Sequence, residues 1–91
     1  MSSRKQYFKH WAESELGEGT VLMEAMGDEI VRQVEIYRSL TVWSDKTGQS
    51  DERFMLADQP LSWLDLDEDD GITAGEFEAA WKKARATSPA R

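Results

Sequence analysis

The sequence predicts an all-α fold of four helices joined by loops. Apolar residues recur every three or four positions over long stretches, which is typical of amphipathic helices, and no stretch reads clearly as a strand. The 91 residues, 40% of them apolar, suffice for one domain with a modest core. We therefore expect a single helical domain over residues 1–86 and a disordered tail over 87–91.

The first two helices are expected in the N-terminal half. Arg4 to Ala12 would form a short helix with aromatic residues on one face, and the glycines from Gly17 to Gly19 would end it. A longer helix would follow, with Gly27 as a kink or break. Its three-and-four spacing is carried by Leu22, Met23, Met26, Ile30, Val34 and Tyr37.

The C-terminal half is expected to hold two further helices. One would open at Ser50 or Asp51 and run to Leu64, with a kink or a new start at Pro60. The last would run from Thr73 to Ala86 and end in a cluster of basic residues, which suits the negative end of the helix dipole. The residues expected to share its apolar side are Phe77, Ala80, Trp81 and Ala84.

Charge and composition narrow the possible functions. A formal charge of −7 disfavours nucleic acid and anionic membranes as partners, since both would repel an acidic protein. The absence of cysteine excludes disulfides and thiolate chemistry. The N-terminus has no apolar run of the kind found in secretory signals, and no segment is long enough to span a bilayer, so a cytoplasmic location is expected.

One acidic segment, "DLDEDDGITAGE", has the composition of a metal site. Alternating carboxylates, a backbone carbonyl, a hydroxyl that can hold a water and a glutamate that can give two oxygens are donors that calcium prefers. Magnesium would require tighter, more regular geometry. The candidate ligands are Asp65, Asp67, Asp69, Gly71, Thr73 and Glu76.

This spacing resembles the calcium loop of the EF-hand family, over about Phe54 to Ala84. The resemblance implies ligands in the first, third, fifth, seventh and twelfth slots, with Ile72 as the aliphatic residue of the eighth. The sixth slot departs from the family, because Asp70 stands where glycine is usual. Aspartate visits positive φ at modest cost, so the departure would weaken a site without excluding it.

The resemblance implies a calcium sensor or buffer that acts through contacts with a protein partner. EF-hands work in pairs, and residues 14–25 are either a degenerate partner hand, with Val21 beside Ile72, or an ordinary helix-loop-helix. Tryptophan is enriched at protein interfaces, so a few of the tryptophans are expected there and the others in the core. These residues are Trp11, Trp43, Trp63 and Trp81.

Other interpretations of the same residues are open. Thr73 and Glu76 also fit a helix capping box that needs no metal. The acidic chain could instead be an adaptor or inhibitor that docks on a basic protein independently of calcium. His10, the lone histidine, is expected to be solvated, and the chain is too short to enclose a diphosphate substrate at Asp67 and Asp70. No catalytic constellation is present, so an enzyme is not expected.

Overall fold

Over the residues that the structure describes, the chain forms an antiparallel β-sheet with one helix packed on it. The computed structural model describes residues 5–14, 17–38, 40–46, 48–49 and 71–87. The strands are β1 (Lys5–Ser14), β2 (Gly17–Met26), β3 (Glu29–Tyr37), β4 (Leu40–Asp45) and β5 (Gly48–Gln49). The helix is α1 (Ala74–Thr87). The strands pair in sequence order, each antiparallel to the next.

The all-α prediction is therefore wrong. The described residues of the first two predicted helices lie in β1, β2, β3 and β4. Ser14 ends β1 and residues 17–25 lie in β2, so this part of the chain does not form a degenerate EF-hand. The third predicted helix, from residue 50 to 64, lies outside the described residues, as do residues 88–91 of the predicted tail. The last predicted helix is confirmed, with bounds that differ by one residue at each end.

The spacing that suggested a long helix has a simple explanation. Leu22, Met26, Ile30 and Val34 are four residues apart, and a spacing of four is also a multiple of the two-residue strand period. In β2 the sequence does not alternate between apolar and polar residues, because both faces of this strand are buried in the centre of the sheet. Buried strands of this kind read as continuous apolar runs rather than as alternation.

A tight turn joins β2 to β3 and sets their register. Met26 pairs with Glu29, which leaves Gly27 and Asp28 as a two-residue loop. Gly27 has a φ of 64°, the positive value that a type II′ hairpin turn requires at its first central residue. Glycine was expected to kink a helix here, but it reverses the chain.

The sheet carries apolar residues on both faces. Helix α1 covers one face, where the buried core consists of Leu22, Val34, Trp43, Phe77 and Ala84. The residues that alternate with these in β2 point to the opposite face, where a second buried cluster comprises Val21, Met23, Ala25 and Ile30. On the helix-covered face, Lys9 and Arg32 pair with Glu76 and Glu78 of α1 and so hold the start of the helix in place.

The close approach of β2 and β3 at Gly19 gives a test of the sheet register. A Cβ at Gly19 would collide with the Tyr37 ring and would lie 2.5 Å from the Ile36 carbonyl oxygen. We expect Gly19→Ala to lower the free energy of unfolding by roughly 1–3 kcal/mol, because the ring must move. Gly48→Ala is the matched control, since nothing lies within 4 Å of a Cβ there. Equal stability of the two variants in urea titrations would contradict this packing.

Candidate functional site

The site is built where the segment before α1 meets the edge strand β1. Gly71 forms an isolated antiparallel bridge with Phe8, and the Ile72 N–H donates to the Tyr7 carbonyl oxygen at 2.9 Å. This backbone pairing holds the start of the helix against the sheet. In the degenerate-hand alternative Ile72 would lie beside Val21, but the residue that it bonds in the structure is Tyr7.

Thr73 begins the helix as its N-cap. Its Oγ1 accepts a hydrogen bond from the Glu76 N–H at 3.1 Å, and its carbonyl oxygen accepts one from the Phe77 N–H at 3.2 Å. The cap supplies partners for N–H groups that the first turn leaves unpaired. Half of the predicted capping box is present, since the hydroxyl of Thr73 caps the backbone of Glu76.

The Glu76 carboxylate pairs across to the sheet. Lys9 Nζ lies 3.1 Å from Glu76 Oε2, and both side chains are about half exposed (48% and 46%). An exposed pair of this kind contributes at most about 1 kcal/mol, because water and salt screen it. Glu76 is thus held by a partner that a stronger cation could displace.

The predicted calcium ligands divide into two groups. Gly71, Thr73 and Glu76 are brought together at the start of α1, whereas Asp65, Asp67 and Asp69 lie outside the described residues. Within the described ranges, no group of three or more His, Cys, Asp or Glu side chains is arranged to hold a metal ion. Trp63 and Asp70 also lie outside them.

Beside this segment, α1 covers a polar network centred on Arg32. Its Nε lies 2.6 Å from Glu24 Oε1 and its Nη2 lies 2.7 Å from Oε2, so the guanidinium binds both oxygens of the carboxylate. Arg32 Nη1 lies 2.7 Å from Glu78 Oε1 on the helix. The Tyr7 hydroxyl donates to Glu24, which is only 3% exposed. One arginine therefore links two strands to α1.

Aromatic rings enclose the Arg32 guanidinium from the helix side. Its central carbon lies 5.0 Å from the Phe77 ring centroid and 5.1 Å from that of Trp81. Arg85 caps the far end of the same cluster, 4.3 Å from the ring centroid of Trp43. Cations over aromatic faces are stabilised by the ring quadrupole.

The network shifts the pKa values of its members in opposite directions. Hydrogen bonds from Arg32 hold the pKa of the Glu24 carboxyl below its ordinary value of 4.5, although burial opposes this. Burial raises the pKa of Tyr7 above 10.0, and its hydrogen bond to Glu24 raises it further. Glu24 therefore stays ionised and Tyr7 stays neutral around pH 7, so the network serves to join the helix to the sheet.

The structure also places the lone histidine and three of the tryptophans. His10, which was expected to be solvated near the end of a first helix, is half-buried in β1, with Nδ1 3.0 Å from the Trp11 carbonyl oxygen. Of the tryptophans described, Trp43 is buried, Trp81 is half-buried and Trp11 is 60% exposed.

The comparisons do not place the chain in a family. No family model, curated protein or solved structure matches it. Within the described residues, no helix is both long and apolar enough to cross a membrane.

The network predicts a specific pH dependence of stability. Because the pKa of Glu24 is lower in the folded state, its contribution is present above about pH 4.5 and is lost as the pH falls through the folded pKa. We expect Glu24→Gln to cost about 3 kcal/mol at pH 7, since it leaves Arg32 under the helix without its main partner. Urea titrations from pH 7 to pH 3 measure both effects, because the variant should lose less of its remaining stability on acidification.

Glu29→Gln is the matched control for this prediction. Glu29 makes an exposed ion pair with Lys46, and its removal should cost less than about 1 kcal/mol at pH 7. Similar losses of unfolding free energy in the two variants would show that Glu24 stabilises the fold no more than an exposed carboxylate does.

Proposed function

We propose that residues 65–76 bind one calcium ion, as a loop fixed to the edge of a β-sheet rather than as half of a helical EF-hand pair. The sequence supplies alternating carboxylates at Asp65, Asp67 and Asp69, a carbonyl at Gly71 and a glutamate at Glu76. Calcium takes six to eight oxygen ligands and tolerates irregular geometry, so a contiguous loop can provide most of them. Such a loop needs fixed ends, and it does not need an all-α domain.

The observation that carries the proposal is the position of Glu76 in the first turn of α1. The helix begins at Ala74, which makes Thr73 the N-cap and Glu76 the third helical residue. A glutamate in that position can direct its carboxylate back toward the segment that precedes the helix. That segment contains the three aspartates.

The residues around Glu76 are compatible with a cation. Its carboxylate is half exposed, and it pairs with the exposed ammonium of Lys9 rather than with a buried donor. A divalent ion held by several carboxylates would compete well with a single exposed ammonium. When bound, calcium would neutralise clustered carboxylates and join the loop to α1.

The attachment of Ile72 supports the same function. Its N–H bond to Tyr7 fixes the backbone of the segment that would supply the seventh and ninth ligand positions. Less chain then needs to be ordered when the ion binds, and ordering one residue costs roughly 1–2 kcal/mol. Preordering of this kind favours affinity.

We expect Glu76→Gln to weaken calcium binding by roughly tenfold or more, because a neutral amide replaces a carboxylate that can give two oxygens. Calorimetric titration with calcium, repeated with magnesium, measures the change. Glu29→Gln is the control, because it makes the same chemical change at an exposed pair near the β2–β3 turn. It should bind as the wild type does.

Two outcomes would overturn the calcium proposal. Equal affinity of Glu76→Gln and wild type would remove Glu76 from the site. Absence of binding to the wild type would favour the calcium-independent acidic adaptor instead.

Lys9 provides an independent test of the same site. Its ammonium lies 3.1 Å from a proposed ligand oxygen, so it should compete with calcium. We expect Lys9→Met to raise calcium affinity by roughly threefold at low salt, with a smaller gain at high salt because screening weakens the competition. Lys46→Met, which removes an ammonium from the pair with Glu29, should leave the affinity unchanged. Lower affinity in Lys9→Met would show that Lys9 supports the site rather than competing for it.

A further inference from the structure

Helix α1 leaves one row of its sheet face uncovered. The register places Trp11 opposite Thr20, Thr20 opposite Ile36, and Ile36 opposite Thr41, so these four residues form one row across β1 to β4. Strand alternation puts the row on the same face as Leu22, Val34 and Trp43, which α1 buries. We call this row the Trp11–Ile36 ledge.

Two of the four ledge residues are large, apolar and exposed. Trp11 is 60% exposed and Ile36 is 39% exposed, whereas Thr20 and Thr41 between and beside them are half-buried. The adjacent row is buried under α1, since Leu22, Val34 and Trp43 are each at most 3% exposed. Exposed apolar surface beside a buried core is typical of an interaction site.

The direction of α1 indicates that a second helix could pack on the ledge. The helix runs across the strands, from Phe77, whose ring centroid is 5.5 Å from that of Tyr7, to Trp81, 5.5 Å from Trp43. It therefore lies along the rows of the sheet. Rows on one face are about 7 Å apart, and packed helices lie about 8–10 Å apart. A second helix beside α1 would lie over the ledge and the next row outward.

The next row outward carries two glutamates, on β1 and β2. Glu13 and Glu18 pair directly across β1 and β2 on the same face as Trp11, and both are exposed. Like charges in this position destabilise a sheet. Among the described contacts, neither carboxylate has a cationic partner. A ligand that brought positive charge to this row would relieve the repulsion.

We propose that the Trp11–Ile36 ledge binds a basic amphipathic helix of another protein, parallel or antiparallel to α1. The apolar face of that helix packs on Trp11 and Ile36, and its lysine or arginine side chains lie over Glu13 and Glu18. A cation can also stack on the exposed Trp11 ring. This interaction does not depend on calcium binding by residues 65–76.

A second copy of the chain fits the ledge poorly. The formal charge of −7 makes two copies repel each other. The one described helix already uses its apolar side, including Phe77 and Ala84, on its own sheet. Charge complementarity therefore favours a basic partner over self-association.

The test uses a fluorescent, synthetic leucine-lysine peptide of about 18 residues, long enough to form an amphipathic helix. Binding is measured by fluorescence anisotropy with a calcium chelator present, so that the result is separate from the calcium proposal. We expect Trp11→Ala to weaken binding roughly tenfold and Glu18→Gln roughly threefold. Glu29→Gln, which removes the same charge at the other end of the sheet, should stay within about twofold.

Two controls distinguish binding at the ledge from non-specific attraction between a basic peptide and an acidic protein. A peptide of the same composition, with leucine and lysine ordered so that no apolar face forms, should bind at least roughly tenfold more weakly. Ile36→Thr retains β-propensity and removes an apolar contact, so it should weaken binding several-fold even if Trp11→Ala folds poorly. Thermal unfolding followed by circular dichroism checks each variant.

Three results would overturn the proposal. They are wild-type affinity in both Trp11→Ala and Ile36→Thr, equal effects of Glu18→Gln and Glu29→Gln, and a dimer in sedimentation that Trp11→Ala dissociates. The last would make a second copy the occupant. Supporting results are the losses stated above together with a monomeric wild type.

Discussion

Arg32 carries a full positive charge beneath helix α1, and the packing of that helix depends on how the charge is balanced. Glu24 on the neighbouring strand accepts from two nitrogens of the guanidinium, and the third lies beside Glu78 on the helix. The guanidinium carbon lies 5.0 Å and 5.1 Å from the ring centroids of Phe77 and Trp81. A charge placed there without these partners would cost several kcal/mol. The same contacts join β2, β3 and α1. The ion pairs that offset the cost of burying Arg32 therefore also hold these three elements together.

The helix is attached at both ends as well as at its centre. Before its first turn, the Ile72 backbone is bonded to Tyr7, and within the first turn Glu76 pairs with Lys9. Near its last turn, Arg85 lies over Trp43. These attachments fix the helix across the strands rather than along them, which leaves the outer row of the sheet accessible. The proposed calcium segment and the Trp11–Ile36 ledge are thus both defined by where α1 lies.

The sequence could predict α1 because its signals are local. Thr73 as a cap, a three-and-four apolar pattern through Phe77 and Ala84, and basic residues near the end agree with one another. The sheet could be missed because residues four apart satisfy both helix and strand periods. Gly27–Asp28 between β-rich segments was the signal that could have corrected this, since glycine followed by aspartate suits a two-residue hairpin.

The candidate site was only partly accessible to such reasoning. The candidate calcium ligands are close together in the chain, between residues 65 and 76, so their spacing is visible in the sequence itself. The partners of Glu76 and Arg32 come from the pairing of strands, since Lys9 is distant in the chain and Glu24 faces Arg32 only once the hairpin forms. No local pattern contains that information.

The order of strands has a consequence for how the chain folds. Neighbouring strands of the sheet are also neighbours in sequence, so their contacts close short loops, and sheets of this kind assemble faster than those with distant pairings. Helix α1 is different, because the bond from Ile72 to Tyr7 closes a loop that spans most of the chain. We expect the strands to pair first and α1 to dock late. Until it docks, Leu22, Val34 and Trp43 form an open apolar face, and the chain is at its most prone to aggregation.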